Sequence, residues 1–194
     1  MTLLIPFAGL ESAAWKNGGG STTELALAPP GAGLDSFDWR ISLATIAADG
    51  PFSLFGGVDR SLALVEGPGV YLDIDEEGRF ALCDDEPLLE FAGESHVIAT
   101  LAGAPTTDFN VMTRRERCHH KLGRRVLNGP SEFAPRGDIT VLFLAEGESL
   151  AVCSDSERIG LVRYDCVVFD TTTVWTLEAL QATVFVVDIF FNQG

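Results

Sequence analysis

Histidine is scarce in this chain, at three in 194 residues: His96, His119 and His120. Metal centres in small β-barrels draw several ligands into one interior. His119 and His120 are adjacent, so on a strand they point to opposite faces, and His96 has no obvious partner. No metal cofactor is expected. Cysteine is also sparse, and Cys83, Cys118, Cys153 and Cys166 form no CxxC or metal-finger spacing. They read as free thiols in a reducing compartment. Cations are few, 13 Lys and Arg against 28 Asp and Glu, a net charge of −15. A field of that sign repels phosphate backbones and anionic membranes, which argues against nucleic-acid and membrane partners. Long apolar runs are missing too. The best, residues 184–191, is short of the ~18 residues a spanning helix needs and carries Asp188. The apolar start, Met1 to Phe7, has no basic lead-in and reads as no secretory signal, so the cytoplasm is the expected location. There is no P-loop and no nucleophile elbow.

What is present is β patterning. Hydrophobic residues make up 46% and charged residues 21%, ordinary usage for a folded domain. A chain of this length buries roughly 70% of its unfolded surface and needs no disulfide to hold a core. Short β-branched and aromatic runs alternate with Gly, Pro, Asp and Ser turns every eight to twelve residues, as in a sandwich or barrel. The predicted strands are 23–28, 38–46, 62–65, 70–74, 79–82, 88–91, 97–101 and 108–113, then 139–144, 150–153, 158–162, 167–170, 174–177 and 183–191. Residues 176–182 also admit a short helical turn. Leu64-Val65-Glu66-Gly67 and Leu144-Ala145-Glu146-Gly147 are both strand ends entering a Glu-Gly turn, 80 residues apart (66 to 146). That fits a duplicated unit. The division falls at 1–115 and 116–194. Residues 114–135 between the halves hold six of the 13 cations and read as a solvated surface connector.

Four segments carry groups suited to a binding site. In the first, Trp15, Lys16 and Asn17 precede Gly18-Gly19-Gly20, placing a ring, a cation and an amide beside a loop that can approach a ligand closely. A flexible turn feeding a strand explains the same residues. In the second, period two puts Trp39, Ile41 and Leu43 on one face of a strand and Arg40 and Ser42 on the other. Arg40 is then a solvated charge or a fork aimed into a cleft. The third is a Gly/Pro loop with Phe52, Phe55, Asp59 and Arg60, where Arg60 can grip a carboxylate bidentately or merely stabilise a turn. The fourth puts Asp108, Asn110, Met112 and Arg114 on one strand face, a mixture that suits a pocket wall better than a dry core.

In this order the four segments resemble the HutD/Ves family: Trp15-Lys16-Asn17-Gly18-Gly19-Gly20 with Thr22 and Glu24; Trp39-Arg40 with Ser42; Asp49-Gly50-Pro51-Phe52-Ser53 with Gly57-Val58-Asp59-Arg60; and Asp108, Asn110, Met112 and Arg114 in alternation. The resemblance covers residues 15 to 115. It implies an all-β fold with few helices, a tandem cupin-like (RmlC-like jelly-roll) double β-barrel without the usual cupin metal ligands. It also implies a non-catalytic regulatory protein of histidine utilisation that senses a carboxylate intermediate, urocanate or formylglutamate. The expected ligand contacts are Trp15, Lys16, Asn17, Trp39, Arg40, Ser42, Phe52, Arg60, Asn110 and Met112. Two alternatives stand beside this. One is a metal-independent cupin enzyme of the isomerase or epimerase type, with His96 or His119 as a base if the fold turns it inward. The other is a protein-interaction subunit, such as a homodimer formed through paired sheets.

Overall fold

Period-two alternation of apolar and polar residues makes strands of almost every run named above, and the computed structural model describes residues 2–192. In chain order the strands are β1 (Thr2–Ile5), β2 (Ser12–Ala14), β3 (Gly20–Ala28), β4 (Trp39–Ile46), β5 (Gly50–Pro51), β6 (Val58–Glu66), β7 (Val70–Ile74), β8 (Gly78–Leu82), β9 (Leu88–Ala92), β10 (Val97–Leu101) and β11 (Thr106–Arg114). There follow β12 (Cys118–Leu127), β13 (Ser131–Phe133), β14 (Ile139–Glu146), β15 (Ser149–Cys153), β16 (Arg158–Val162), β17 (Cys166–Phe169), β18 (Trp175–Glu178) and β19 (Ala182–Phe191). One 3₁₀ turn, Phe7–Gly9, is the sole helical element among the described residues. Among the described residues no helix is long and apolar enough to cross a membrane. The segment 176–182 is strand and turn, because Trp175 and Leu177 alternate inward with Thr176 and Glu178.

The chain forms two units, each a cupin-like pair of antiparallel sheets. In the first, Leu10–Cys118, a six-stranded sheet of spatial order β2-β3-β4-β11-β6-β9 faces a four-stranded sheet β5-β10-β7-β8. Ile46, Leu62 and Leu64 pack on Val70, Leu72, Ile74 and Val97 to form its dry core. The second unit pairs a five-stranded sheet β1-β17-β14-β19-β12 with a four-stranded sheet β13-β18-β15-β16. Its core is built from Leu142, Leu144, Val152, Phe169, Trp175 and Val184 among others. The four cysteines are unpaired, with Cys118 and Cys166 buried and Cys83 and Cys153 half-buried.

Two regions differ from the sequence reading. Residues 2–9 fold with the second unit, because β1 adds to the edge of β17, pairing Thr2 with Phe169 and Ile5 with Cys166. The basic stretch 114–135 is not a connector. Its middle is the ten-residue β12 at the edge of the five-stranded sheet. An edge strand keeps one side in water, so charged side chains at alternate positions are tolerated there and mask the pattern.

Candidate functional site

The site is built on the inner face of the six-stranded sheet. Strand pairing aligns Leu27, Arg40, Met112, Arg60 and Phe91 in one row across β3, β4, β11, β6 and β9. The next row holds Glu24, Ser42, Asn110 and Leu62, and the third holds Thr22, Ala44, Asp108 and Leu64. Alternation sends all these side chains to the same face. They border a cavity of about 590 Å³ whose wall includes Trp15, Lys16, Asn17, Arg40, Phe52, Phe55, Arg60, Asp108, Asn110 and Met112.

The rim comes from the turn between β2 and β3. Gly18 takes φ +73°, a left-handed conformation that favours glycine. Asn17 Oδ1 accepts from Gly19 N at 3.0 Å, and Trp15 Nε1 donates to Thr22 Oγ1 at 2.8 Å. A Cβ on Gly20 would stand 2.1 Å from Thr45 O and 3.0 Å from the Trp15 ring. The triple glycine therefore serves both conformation and close approach, and it holds the indole against the cavity.

Arg60 is the dominant charge. It is 7% exposed, and its guanidinium carbon lies 5.0, 5.2 and 5.6 Å from the ring centres of Phe91, Phe52 and Phe55. Three aromatic faces attract the cation but supply no acceptor. Nη2 donates to Asn110 Oδ1 at 3.5 Å, while Nε has no partner. Burial pushes the Arg60 pKa down to about 10, opposed by Asp108 and assisted by Arg40. Arg60 thus remains a cation at neutral pH. Asp108, 2% exposed, is its counterpart, and Asp108 Oδ1 also lacks a partner. Burial raises the Asp108 pKa to about 7, against the pull of Arg60. Arg40 is already engaged: Nε donates to Glu24 Oε2 at 2.9 Å and Nη1 to Ser42 Oγ at 3.4 Å.

Eight of the ten residues singled out in the sequence thus border one cavity: Trp15, Lys16, Asn17, Arg40, Phe52, Arg60, Asn110 and Met112. Trp39 and Ser42 are not in its wall. Trp39 occupies the opposite face of β4, one residue out of phase with Arg40, and its buried Nε1 finds no partner. Ser42 has the right phase, but it is fully buried beneath Arg40 and acts through that contact. Phe55 and Asp108 stand in the candidate segments but not among the expected contacts, and Phe91 stands in neither. The alternation with Asn110 and Met112 was a signal for Asp108. Phe91 joins the cage only through its register opposite Arg60.

The cupin-like fold raises the question of a metal. The wall offers Asp108 but no His, Cys or Glu, and sets Lys16, Arg40 and Arg60 around it. Among the described residues no group of three His, Cys, Asp or Glu is placed to hold a metal ion. These residues do not fit a metal centre; three cations and one carboxylate fit an anionic ligand.

Comparison with known proteins bears on family and fold. A family model described as HutD matches residues 8–187. Protein Ves of Citrobacter koseri is 44% identical over 135 residues, 69% of this chain and 67% of that protein. An uncharacterized 21.2 kDa protein in the hutC 3′ region of Pseudomonas putida is 35% identical over 159 residues, 78% of each chain. The solved structure of HutD from Pseudomonas fluorescens superimposes with a TM-score of 0.82 at 26% identity, over the full length of both chains.

Proposed function

The chain belongs to the HutD family, and from that premise we propose that it is a non-catalytic regulatory protein of histidine utilisation that binds a small carboxylate, urocanate or formylglutamate, in the cavity of its first unit. The P. putida relative, described by its place beside hutC, supports the pathway. One observation carries the ligand class: Arg60 is a buried guanidinium held by aromatic rings and an amide oxygen, with Nε unpaired. Asp108 acts on Arg60 through its charge, but Asp108 Oδ1 is unbonded, and a buried charge without a hydrogen-bonded ionic partner is costly. A ligand carboxylate supplies the missing acceptors and can pair with the fork bidentately. Trp15 and Phe52 give flat apolar walls for the rest of the molecule, and Lys16 and Asn17 stand at the rim.

The test is calorimetric titration of both acids into the wild type and Arg60→Ala. Removing a charge-assisted contact costs about 1.5–3 kcal/mol, so the variant should bind roughly ten- to hundredfold more weakly. Equal affinity in a folded Arg60→Ala protein would remove Arg60 from the site. The acids should also be recovered intact after prolonged incubation.

A second reading has one observation in its favour. A metal-independent isomerase or epimerase needs a base near neutrality inside the cavity, and Asp108 is such a group. The histidine version of this reading has less support. None of the three histidines borders the cavity, and His119 is exposed, stacked on Phe190 at 5.2 Å. Consumption of either acid by the wild type but not by Asp108→Asn would favour the enzyme.

A further inference from the structure

We propose that Asp108 is a second anchor for the ligand, accepting a hydrogen bond from an N–H group, so that the cavity selects carboxylates carrying an N–H several ångströms from the carboxyl over those without one. This rests on the carboxylate reading above and narrows it. A buried acceptor left unmade is rare and costly, yet Asp108 Oδ1 is buried in the cavity wall and unpartnered. Arg60 acts on Asp108 through its charge but makes no hydrogen bond to this oxygen, and its own Nε is unpaired as well. The register explains the gap. Arg60 stands opposite Met112, and Asp108 is four residues further along β11, about 13 Å between Cα atoms. The Arg60 side chain leans along that path as far as Asn110, in the row between. The step left from the Asn110 row to the Asp108 row is two residues, about 7 Å, and a planar molecule lying across the cavity can present a carboxyl to Arg60 and a donor to Asp108.

The charges around Asp108 favour its role as acceptor. The titratable groups bordering the same cavity are Arg60 from β6, Arg40 from β4 and Lys16 from the turn between β2 and β3, all cations. Of these, Arg60 pulls the Asp108 pKa down against the larger effect of burial. The Asp108 pKa of about 7 leaves the acceptor form dominant at pH 8.

The experiment pairs two probes of the same shape at pH 8: urocanate, with a ring N–H, and trans-3-(2-furyl)acrylate, in which a ring oxygen replaces it. The wild type should bind urocanate at least tenfold more tightly. Asp108→Leu, which has no acceptor, should reduce that ratio to below threefold. Equal binding of the two probes by the wild type overturns the N–H contact and leaves the carboxylate reading intact. Tighter binding of furylacrylate overturns it in favour of Asp108 as a proton donor. A full ratio retained in a folded Asp108→Leu protein also overturns it. Binding of neither probe defeats the carboxylate reading, and this inference with it. The wild-type ratio decides the matter alone if the variant does not fold.

Discussion

Asp108 sets a pH dependence that belongs to the residue and not to the fold. Its pKa rises from 3.8 to about 7 on folding, chiefly by desolvation. Folding therefore takes up a proton between those values, and stability falls as pH rises through that window. The penalty is absent below about pH 4 and complete above about pH 7. Three units correspond to roughly 4 kcal/mol as an upper bound. Asp108→Asn removes the titration, so the difference in Tm between variant and wild type should grow in the variant's favour from pH 4.5 to pH 8. A pH-independent difference would show that Asp108 keeps an ordinary pKa. At this scale the site was partly legible. Alternation on β4 and β11 gave the phase of Arg40, Asn110 and Met112, because a strand's two faces are set by residue parity. The same parity argued against Trp39, whose face is core. What sequence could not supply was which side chain would stand opposite Arg60. That depends on pairing β6 with β9, and so the Phe91 wall of the cage was missed.

The β2–β3 hairpin tests how an element holds a site. Gly19 O accepts from Ala47 N at 2.8 Å, tying the turn to the end of β4. Gly20 stands where any Cβ meets Thr45 O and the Trp15 ring, whereas a Cβ on Gly19 meets only Asn17 side-chain atoms at 3.4 Å or more. Gly20→Ala should therefore push β3 away from β4 and displace Trp15, costing about 1–3 kcal/mol of stability and weakening ligand binding. Gly19→Ala should leave both within error. Paired melting curves and titrations of the two variants check this, and equal behaviour would refute the close-approach argument. Elements were legible where both faces alternate in hydrophobicity, and β7, β10 and β16 match the sequence reading residue for residue. They were illegible in β1 and β12, although β16, also at a sheet edge, was read correctly. The first strand has four residues with no clear alternation, and β12 carries His119, Lys121, Arg124 and Arg125. Both take their structure from a single neighbour in the sheet, which local sequence does not announce.

Across the whole molecule the 80-residue repeat glimpsed at two Glu-Gly turns extends much further. Strands β6 to β11 and β14 to β19 pair in the same pattern. Where β6 joins β9 and β11, β14 joins β17 and β19; where β7 joins β8 and β10, β15 joins β16 and β18. Even the register shifts correspond, at Thr107/Asp108 opposite Glu66 and at Leu144/Glu146 opposite Thr183. Duplication thus accounts for the tandem fold, but the copies diverge in chemistry. The position that holds Arg60 in β6 has no cationic counterpart in β14, Ile139–Glu146. The last consequence concerns charge. With a net charge of −15, the molecule as a whole repels the anion proposed for its cavity. Salt screens that long-range field, with a Debye length near 10 Å at 0.1 M, but has little effect on the buried contact with Arg60. Association should therefore speed up severalfold between 10 and 200 mM salt, more for a dianion than a monoanion, while dissociation changes little. This reverses the salt response of a steered complex. Stopped-flow fluorescence, with Trp15 in the cavity wall as reporter, separates the two rates. If association instead slows with salt, the local potential of Lys16 and Arg40 at the mouth outweighs the net charge, and Lys16→Ala should then abolish the slowing.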